Sequence, residues 1–503
     1  MSMTAPPASP SPEVVDVLIV GAGFAGIGLA MHLQTRGVCY RVLEQAGAIG
    51  GTWRDNIYPG AACDIPSLLY CYSFAPNPAW SRMYPPQAEI QAYLEDCVDR
   101  HGVRPQLALG DGVVAARFDG ALGLWFVDTA SGERHAAWAL VLATGGLSRP
   151  RWPDIAGWND FTGPRLHTAR WDPSLPLAGR RVGVVGTGAS AIQLVPELLR
   201  AGAEVTVFQR TPPWIVPKFD RVLRPTAAGA RWRRRLMDWR FELRAIPFTR
   251  ARWLLPLIEP IVKLHLRWQV RDPALRARLT PHYRVGCKRV LLSNDWYPAL
   301  QHPRAHLVDA PIERITRDGV RTRDGVLHGC DVLVAATGFH AAEQGAPFPI
   351  HGRDGLSLDA AWRDGAEAYK GTTVAGFPNL FLLGGPNTGL GHHSIIAMLE
   401  AQFAYVLGAL DVLRADSARV LEVSRSAQSR WNAWLQRRLA RTVWNTGGCR
   451  SWYLTADGRN TTLWPGFVRG FRRVTRRFDQ DAYVGVPEPA PPSPDPPSRT
   501  ADG

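Results

Sequence analysis

Two glycine-rich turns, each followed by a residue of decisive charge, are the first places where this chain could do chemistry. The segment DVLIVGAGFAGIGLAMHL holds G-x-G-x-x-G as Gly21, Gly23 and Gly26, directly after an apolar run and at the start of a helical pattern. Gly21 allows the tight turn, and Gly23 with Phe24 and Ala25 lets backbone approach a pyrophosphate. Gly26 permits close packing of helix on strand. The N–H groups and dipole of the helix then favour phosphate. The next strand, CYRVLEQ, ends in Glu44 and Gln45, where a carboxylate reaches a ribose 2′-OH and repels a 2′-phosphate. This site reads as one for FAD or NAD, not NADP.

The second turn, GRRVGVVGTGASAIQLVPEL, repeats the design with Gly186, Thr187, Gly188, Ala189, Ser190 and Ala191, and opens a helix that carries Gln193. Its following strand ends in Gln209, Arg210 and Thr211 instead of an acid. An arginine there accommodates a 2′-phosphate, so this site reads as one for NADPH. Two apolar runs, ALVLATGG (139 to 146) and DVLVAATGF (331 to 339), each end in A-T-G. They read as parallel strands whose ends, with Thr337 and Gly338, approach a ligand backbone. Together the two sites imply electron flow from NADPH to FAD.

A reduced flavin passes electrons to a disulfide, to a protein or quinone, or to dioxygen. No cysteine pair close in sequence exists for the first route, and the seven cysteines show no C-x-x-C spacing. That argues for reduced thiols in a cytoplasmic protein and against zinc. GGTWRDNIYPGAACDIPSLLYCYSF (50 to 74) is a glycine- and aromatic-rich loop with Thr52, Trp53, Tyr70 and a carboxylate, Asp64, in apolar company. GCKRVLLSNDWYPAL (286 to 300) sets Lys288 and Arg289 side by side. His392 and His393 stand together at a helix entrance without partners at metal-ligand spacing. The turn from Gly384 to Gly391 is read as setting that helix N-terminus against the flavin.

The elements needed to position these residues make an α/β fold, with two Rossmann-like dinucleotide-binding domains, for FAD and NADPH, and a helical insertion. The expected boundaries are 14–150 with 335–485 for FAD, 151–215 with 286–334 for NADPH, and 216–285 for the insertion. Residues 1–13 and 486–503, rich in Pro and Ser, are expected to be disordered. With 503 residues, 46% hydrophobic and 20% charged, the chain has the composition of a soluble globular protein. Its start has neither the basic nor the apolar region of a signal peptide, and its early apolar run is too short to span a bilayer. The stretch from Arg221 to Arg289 holds 18 Lys/Arg against 4 Asp/Glu, a difference equal to the whole net charge of +14. It is read as a solvated helical insertion whose tryptophans pack on its host domain, with an anionic membrane or nucleic acid as the alternative partner. Nucleic acid is not expected.

FTGPRLHTARWD (161 to 172) matches F-x-G-x-x-x-H-x-x-x-W-[PD] at every fixed position, and GTWRDNIYPGAACD (51 to 64) matches G-x-W-x-x-x-x-Y-P-G-x-x-x-D. In both the chain resembles the type I Baeyer–Villiger monooxygenases over residues 14 to 485, and GGPNTGLGHHS (384 to 394) is similar to the hydroxyacetophenone-type branch. The resemblance implies that NADPH reduces FAD and that a C4a-peroxyflavin inserts one oxygen atom beside a ketone carbonyl, giving an ester or lactone. It implies that Arg289 is the active-site cation and that Asp64 holds it. It further implies that Lys288 and Arg210, with Thr211, contact the 2′-phosphate of NADPH. The substrate expected is a hydrophobic ketone, with O2. FTGPRLHTARWD is read as a hinge between the two domains, anchored to both sides by Phe161 and Trp171, with His167 in a positional role instead of as a general base. Rival readings are N- or S-oxygenation, which Trp171 and Asp172 oppose, and an NADPH–flavin reductase or oxidase.

Overall fold

The computed structural model describes residues 13–223, 230–340, 348–415, 420–449 and 451–485. The expected disorder at residues 1–12 and 486–503 lies outside them. Two open sheets dominate. The first orders its strands as Ile350–His351, Val113–Asp119, Leu124–Thr129, Arg134–Leu142, Val14–Val20, Tyr40–Glu44 and Leu107–Leu109. Leu380–Leu382 adds in parallel to the C-terminal half of Arg134–Leu142. The second sheet is wholly parallel, in the order Ala305–Val308, Glu204–Phe208, Arg181–Val185, Val332–Ala335 and Arg165–His167.

Strands buried on both faces need apolar residues at every position, which is why VLIV and VGVV read as unbroken runs. Val17, Ile19, Val42, Ala139 and Val141 face one core with the helices Phe24–Thr35, Gln87–Arg100 and Ile395–Ala415. Leu18, Val20, Leu43, Leu140 and Leu142 face the other, against Trp125, Leu380 and Leu382. Successive side chains point to opposite faces of a strand. The second sheet divides likewise. Val182, Val184, Val205, Val207, Val332 and Val334 pack on the side of the helix Ala189–Arg200. Val185, Phe208, Val308 and Leu333 pack with Phe161 on the other. The helix Ile395–Ala415 is long and apolar enough to cross a membrane, but 67% of its apolar window is buried inside the molecule. Here it is a core helix.

Both glycine turns obey the same steric rule. Gly21 and Gly186 hold φ of 108° and 115°. A Cβ on either would lie 2.6 Å from a carbonyl oxygen, that of Ala143 for the first and of Ala336 for the second. Those alanines are the first residues of the two A-T-G runs, so each run forms the wall against which its glycine turn is built.

The fingerprint around His167 is placed differently from the expectation. Its centre, Arg165–His167, is not a free linker but the edge strand of the second sheet, paired with Val332–Ala335. A three-residue strand leaves no period to read. Phe161 and Trp171 anchor to opposite faces of that one sheet, and Trp171 shares its cluster with Tyr58 and Ala61 of the loop before Asp64. The joint proper consists of two crossings that run side by side, bridged at Pro150 and Phe339. Arg151 N donates to Gly338 O at 2.8 Å, and His340 N donates to Arg149 O at 3.1 Å. His167 is fully buried there. Its Nδ1 accepts from Ala169 N, leaving Nε2 to donate to Gly338 O, both at 3.1 Å. It pins the second sheet to the joint.

The inserted helices Ala230–Leu243 and Leu255–Gln269 also correct the sequence reading. Trp232, Trp239, Trp253 and Trp268 do not pack on the host and are 49–79% exposed. The insertion is held instead by other apolar side chains, Phe241 in the core of the first sheet and Leu266 and Val270 in that of the second, and by polar contacts. Arg234 donates to Leu68 O and Cys71 O, and Glu242 accepts from Val468 N and Arg469 N.

Two measurements test these placements. Gly186→Ala is expected to lower unfolding stability by about 1–3 kcal/mol, the cost of left-handed strain, read from denaturant midpoints; an unshifted midpoint would contradict the tight turn. Burial pushes the His167 pKa from 6.5 down to about 4, against the pull of Gly338 O. Between those values the unfolded chain binds the proton and the folded one does not, so stability rises with pH. The contribution is complete above pH 6.5 and is lost as pH falls toward 4. The slope of Tm against pH in that window should be shallower in His167→Gln than in the wild type.

Candidate active site

The first glycine turn opens the helix Phe24–Thr35 with Gly23 as N-cap, and its first turn has neither a capping side chain nor an acid. Its N–H donors and positive dipole are therefore left for an anion. Glu44 is buried at the end of its strand. It accepts from Ala22 N in the glycine turn at 2.9 Å, from Ala46 N at 3.0 Å and from Arg54 Nη1 at 2.9 Å. A carboxylate offers about four acceptor sites, so one remains for a ribose hydroxyl. Gln45, beside it, is exposed. The Trp53 indole, one residue beyond Thr52 at the start of a short helix, donates to Tyr70 Oη at 3.0 Å. The Tyr70 ring meets Phe24 edge-on at 5.3 Å.

At the second turn Gly188 caps Ala189–Arg200, again without an acid or a capping side chain. Ala191 is fully buried where Gly26 stands in the first turn. Thr187 Oγ1 donates to Thr211 O at 3.0 Å, which ties the turn to the end of the next strand. Arg210 is exposed beside it. Lys288 comes close enough that its pKa is lowered, first by burial and then by the Arg210 charge. Two cations are thus held near one another at the strand end, where a dianionic phosphate would relieve their repulsion. Thr337 Oγ1 donates to Arg151 O at 2.5 Å, and Gly338 is the residue that His167 holds. These two therefore serve the joint between the sheets.

The loop from Gly51 to Asp64 lies across the helix of the second turn. Tyr58 Oη donates to Gln193 Oε1 at 2.7 Å, and Gln193 Nε2 donates to Ala62 O at 2.9 Å. Ser190 also hydrogen-bonds Tyr58. At the end of this docked loop Asp64 receives a two-pronged contact, Arg289 Nε to Oδ2 at 2.5 Å and Nη2 to Oδ1 at 2.7 Å. The third nitrogen, Nη1, donates to Leu390 O at 3.3 Å. Burial opposes the Arg289 charge, but Asp64 outweighs it and the pKa is raised. Both side chains remain partly open, at 30% and 27%. The result is a permanent cation in a fixed orientation, still partly open to its surroundings.

Around this pair stand residues that sequence reading did not assign. Tyr453 is buried against Arg289. His392 is buried with both ring nitrogens lacking a hydrogen-bond partner among the described residues. Burial, then His393, Arg289 and Arg244, push its pKa down to about 3, so it is neutral. Arg54 and Tyr58 lie inside the loop motif itself, where their positions were the available signal. SWYLTADGRNTTLWPG, whose place was open, packs on the turn before His392. Asn387 Nδ2 donates to Asn460 O and Leu463 O, and Gly389 N donates to Thr462 O. The expectation of reduced thiols throughout is corrected as well: Cys287 is bonded to Cys449 across 162 residues. Spacing arguments search for near neighbours, whereas this bridge joins the residue before Lys288 to the C-terminal region. His393 is engaged away from Arg289. Its Nδ1 accepts from Ser394 N, and its Nε2 lies 3.2 Å from Asp238 of the insertion.

Two uncapped glycine turns, a carboxylate at one strand end and cations at the other fit two dinucleotides, one without and one with a 2′-phosphate. Comparison with known proteins agrees. The family model described as Pyridine nucleotide-disulphide oxidoreductase matches residues 18–228. A Baeyer–Villiger monooxygenase of Pseudomonas aeruginosa is 42% identical over 496 residues, 96% of this chain and 94% of that one. One of Streptomyces coelicolor is 44% identical over 489 residues, covering 95% and 94%. The crystal structure of OTEMO in complex with FAD and NADP superimposes with a TM-score of 0.85 at 26% identity, over 94% of this chain and 99% of the other. By sequence along nearly its whole length, and by fold, the chain belongs to the Baeyer–Villiger monooxygenases.

Proposed function

We propose that this enzyme converts a hydrophobic ketone to an ester or lactone with NADPH, FAD and O2, and that Arg289, held by Asp64, is the cation of the reaction. When bound, FAD reduced by NADPH supplies activated dioxygen, one atom of which enters the product while the other leaves as water. The carbon–carbon bond beside the carbonyl breaks and a carbon–oxygen bond forms in its place. The Gly21–Gly26 turn would hold the FAD pyrophosphate, and Glu44 its ribose. The Gly186–Ala191 turn would hold that of NADPH, with Arg210, Thr211 and Lys288 at its 2′-phosphate.

The observation that carries this reading is the two-pronged Asp64–Arg289 contact, which is only partly buried. Oxygen transfer to a carbonyl builds negative charge, and a fixed guanidinium stabilises it without reorganising. Arginine keeps its proton under all working conditions. Asp64 keeps that charge from standing unpaired, which would be costly in a half-buried site, and it aims the fork. His392 is neutral and leaves Arg289 as the dominant charge there. Gln193 and Tyr58 act at one remove. They seat the loop that ends in Asp64, and so relate the position of one dinucleotide site to the other. We also place the enzyme in the cytoplasm, since five of its cysteines are free as a reducing compartment keeps them; the Cys287–Cys449 bridge is the exception.

Arg289→Ala should continue to oxidise NADPH but form ester about a hundredfold more slowly or worse, with the missing equivalents recovered as hydrogen peroxide. Ester formation at the wild-type rate would remove Arg289 from this role. Arg210→Ala and Lys288→Ala should each raise the KM for NADPH about tenfold, the scale of one charge-assisted contact, and leave that for NADH nearly unchanged. Equal changes for both cofactors would contradict the 2′-phosphate assignment.

A further inference from the structure

The exposed tryptophans of the insertion stand in register. In the turn Arg252–Leu254 and the helix Leu255–Gln269, Trp253, Leu257, Ile261, Leu264 and Trp268 follow at intervals of four, four, three and four residues, and all are 63–79% exposed. That spacing is one face of a helix. Glu259 turns away from this face to accept from Arg284 Nη1 and Val285 N, at 2.9 and 3.1 Å. Lys263 Nζ lies over the Trp214 ring at 5.9 Å. Exposed arginines close both ends, Arg250 and Arg252 before the helix and Arg267 and Arg271 at and after its last turn.

The helix Ala230–Leu243 repeats the pattern with Trp232, Leu236, Trp239 and Leu243 exposed, and with Arg235 and Arg240 exposed among them. Its two acids are turned inward. Asp238 faces His393, and Glu242 accepts from the backbone of Val468 and Arg469. The three acidic residues of the two helices are therefore all engaged inside the molecule. What they show to the outside is apolar and cationic only.

That combination selects the partner. A two-fold contact with a second copy would set the same surface against itself, bringing arginine against arginine with only Asp272, already capping the next helix, to answer. An anionic bilayer meets both features, with phosphate headgroups for the arginines and the acyl boundary for Trp, Leu and Ile. The helix is about 22 Å long at 1.5 Å per residue, enough to lie in the interface plane. We propose that this face docks the enzyme on an anionic lipid surface. The inference goes beyond the oxygenation chemistry and stands or falls separately from it.

The test uses the FAD-loaded enzyme with vesicles of phosphatidylcholine alone or mixed with phosphatidylglycerol. The enzyme should sediment with the anionic vesicles, release as salt is raised, and shift its tryptophan emission to shorter wavelength. The double variant I261E/L264E should bind them about tenfold or more weakly, given the apolar burial that each side chain would lose. Its activity on a water-soluble ketone should stay at the wild-type level. Failure to bind, equal binding to neutral vesicles, or an unimpaired double variant would overturn the proposal. So would a dimer that the double variant splits while vesicles are ignored, which would assign the face to a second copy.

Discussion

The ion pair between Asp64 and Arg289 is the constraint on which the site depends, because its two halves reach it from opposite directions. The residues are 225 positions apart. Asp64 arrives at the end of a loop that leaves the first sheet and is seated on the helix of the second glycine turn by Gln193. Arg289 arrives from the segment after the insertion, two residues past a cysteine bonded to the C-terminal region. Leu390 O takes the remaining prong. A half-buried guanidinium without its carboxylate would be unstable in that orientation. The charge is thus available only when both sheets, the loop and the C-terminal region are in place.

The two nucleotide turns share a different constraint. Each needs a backbone that approaches a ligand closely, and each achieves it by pressing a left-handed glycine against the carbonyl of an A-T-G alanine. The joint between the sheets passes through the second of these runs, and the buried His167 fastens it at Gly338. Cofactor site and domain joint are therefore one continuous piece of chain, from Ala336 to His340.

What could be read from the sequence follows from these facts. The glycine turns, the charge difference between Glu44 and Arg210, and the parallel strands were legible, since their constraints act within a few residues. The pairing of Asp64 with Arg289 came from likeness to a family, because no local pattern brings together residues so distant. The same distance hid the Cys287–Cys449 bond. His167 reads as a positional residue from the sequence, but its strand is too short to show a period, so the edge of a sheet reads there as a free hinge. The basic insertion was recognised by composition alone. Composition does not say which way a helix faces, and its tryptophans point outward instead of in.

The most direct measurement of the central claim is the yield of ester in a single turnover by Asp64→Asn, a change that keeps the side chain's shape and removes its charge. Enzyme reduced by one equivalent of NADPH would be mixed with oxygenated buffer and a saturating ketone, and the product counted against flavin. If the carboxylate is what holds Arg289 ready, the wild type should give close to one ester per flavin, and the variant a small fraction of that at unchanged flavin reduction. An undiminished yield from the variant would show that the guanidinium needs no partner, and the account built on this pair would be wrong.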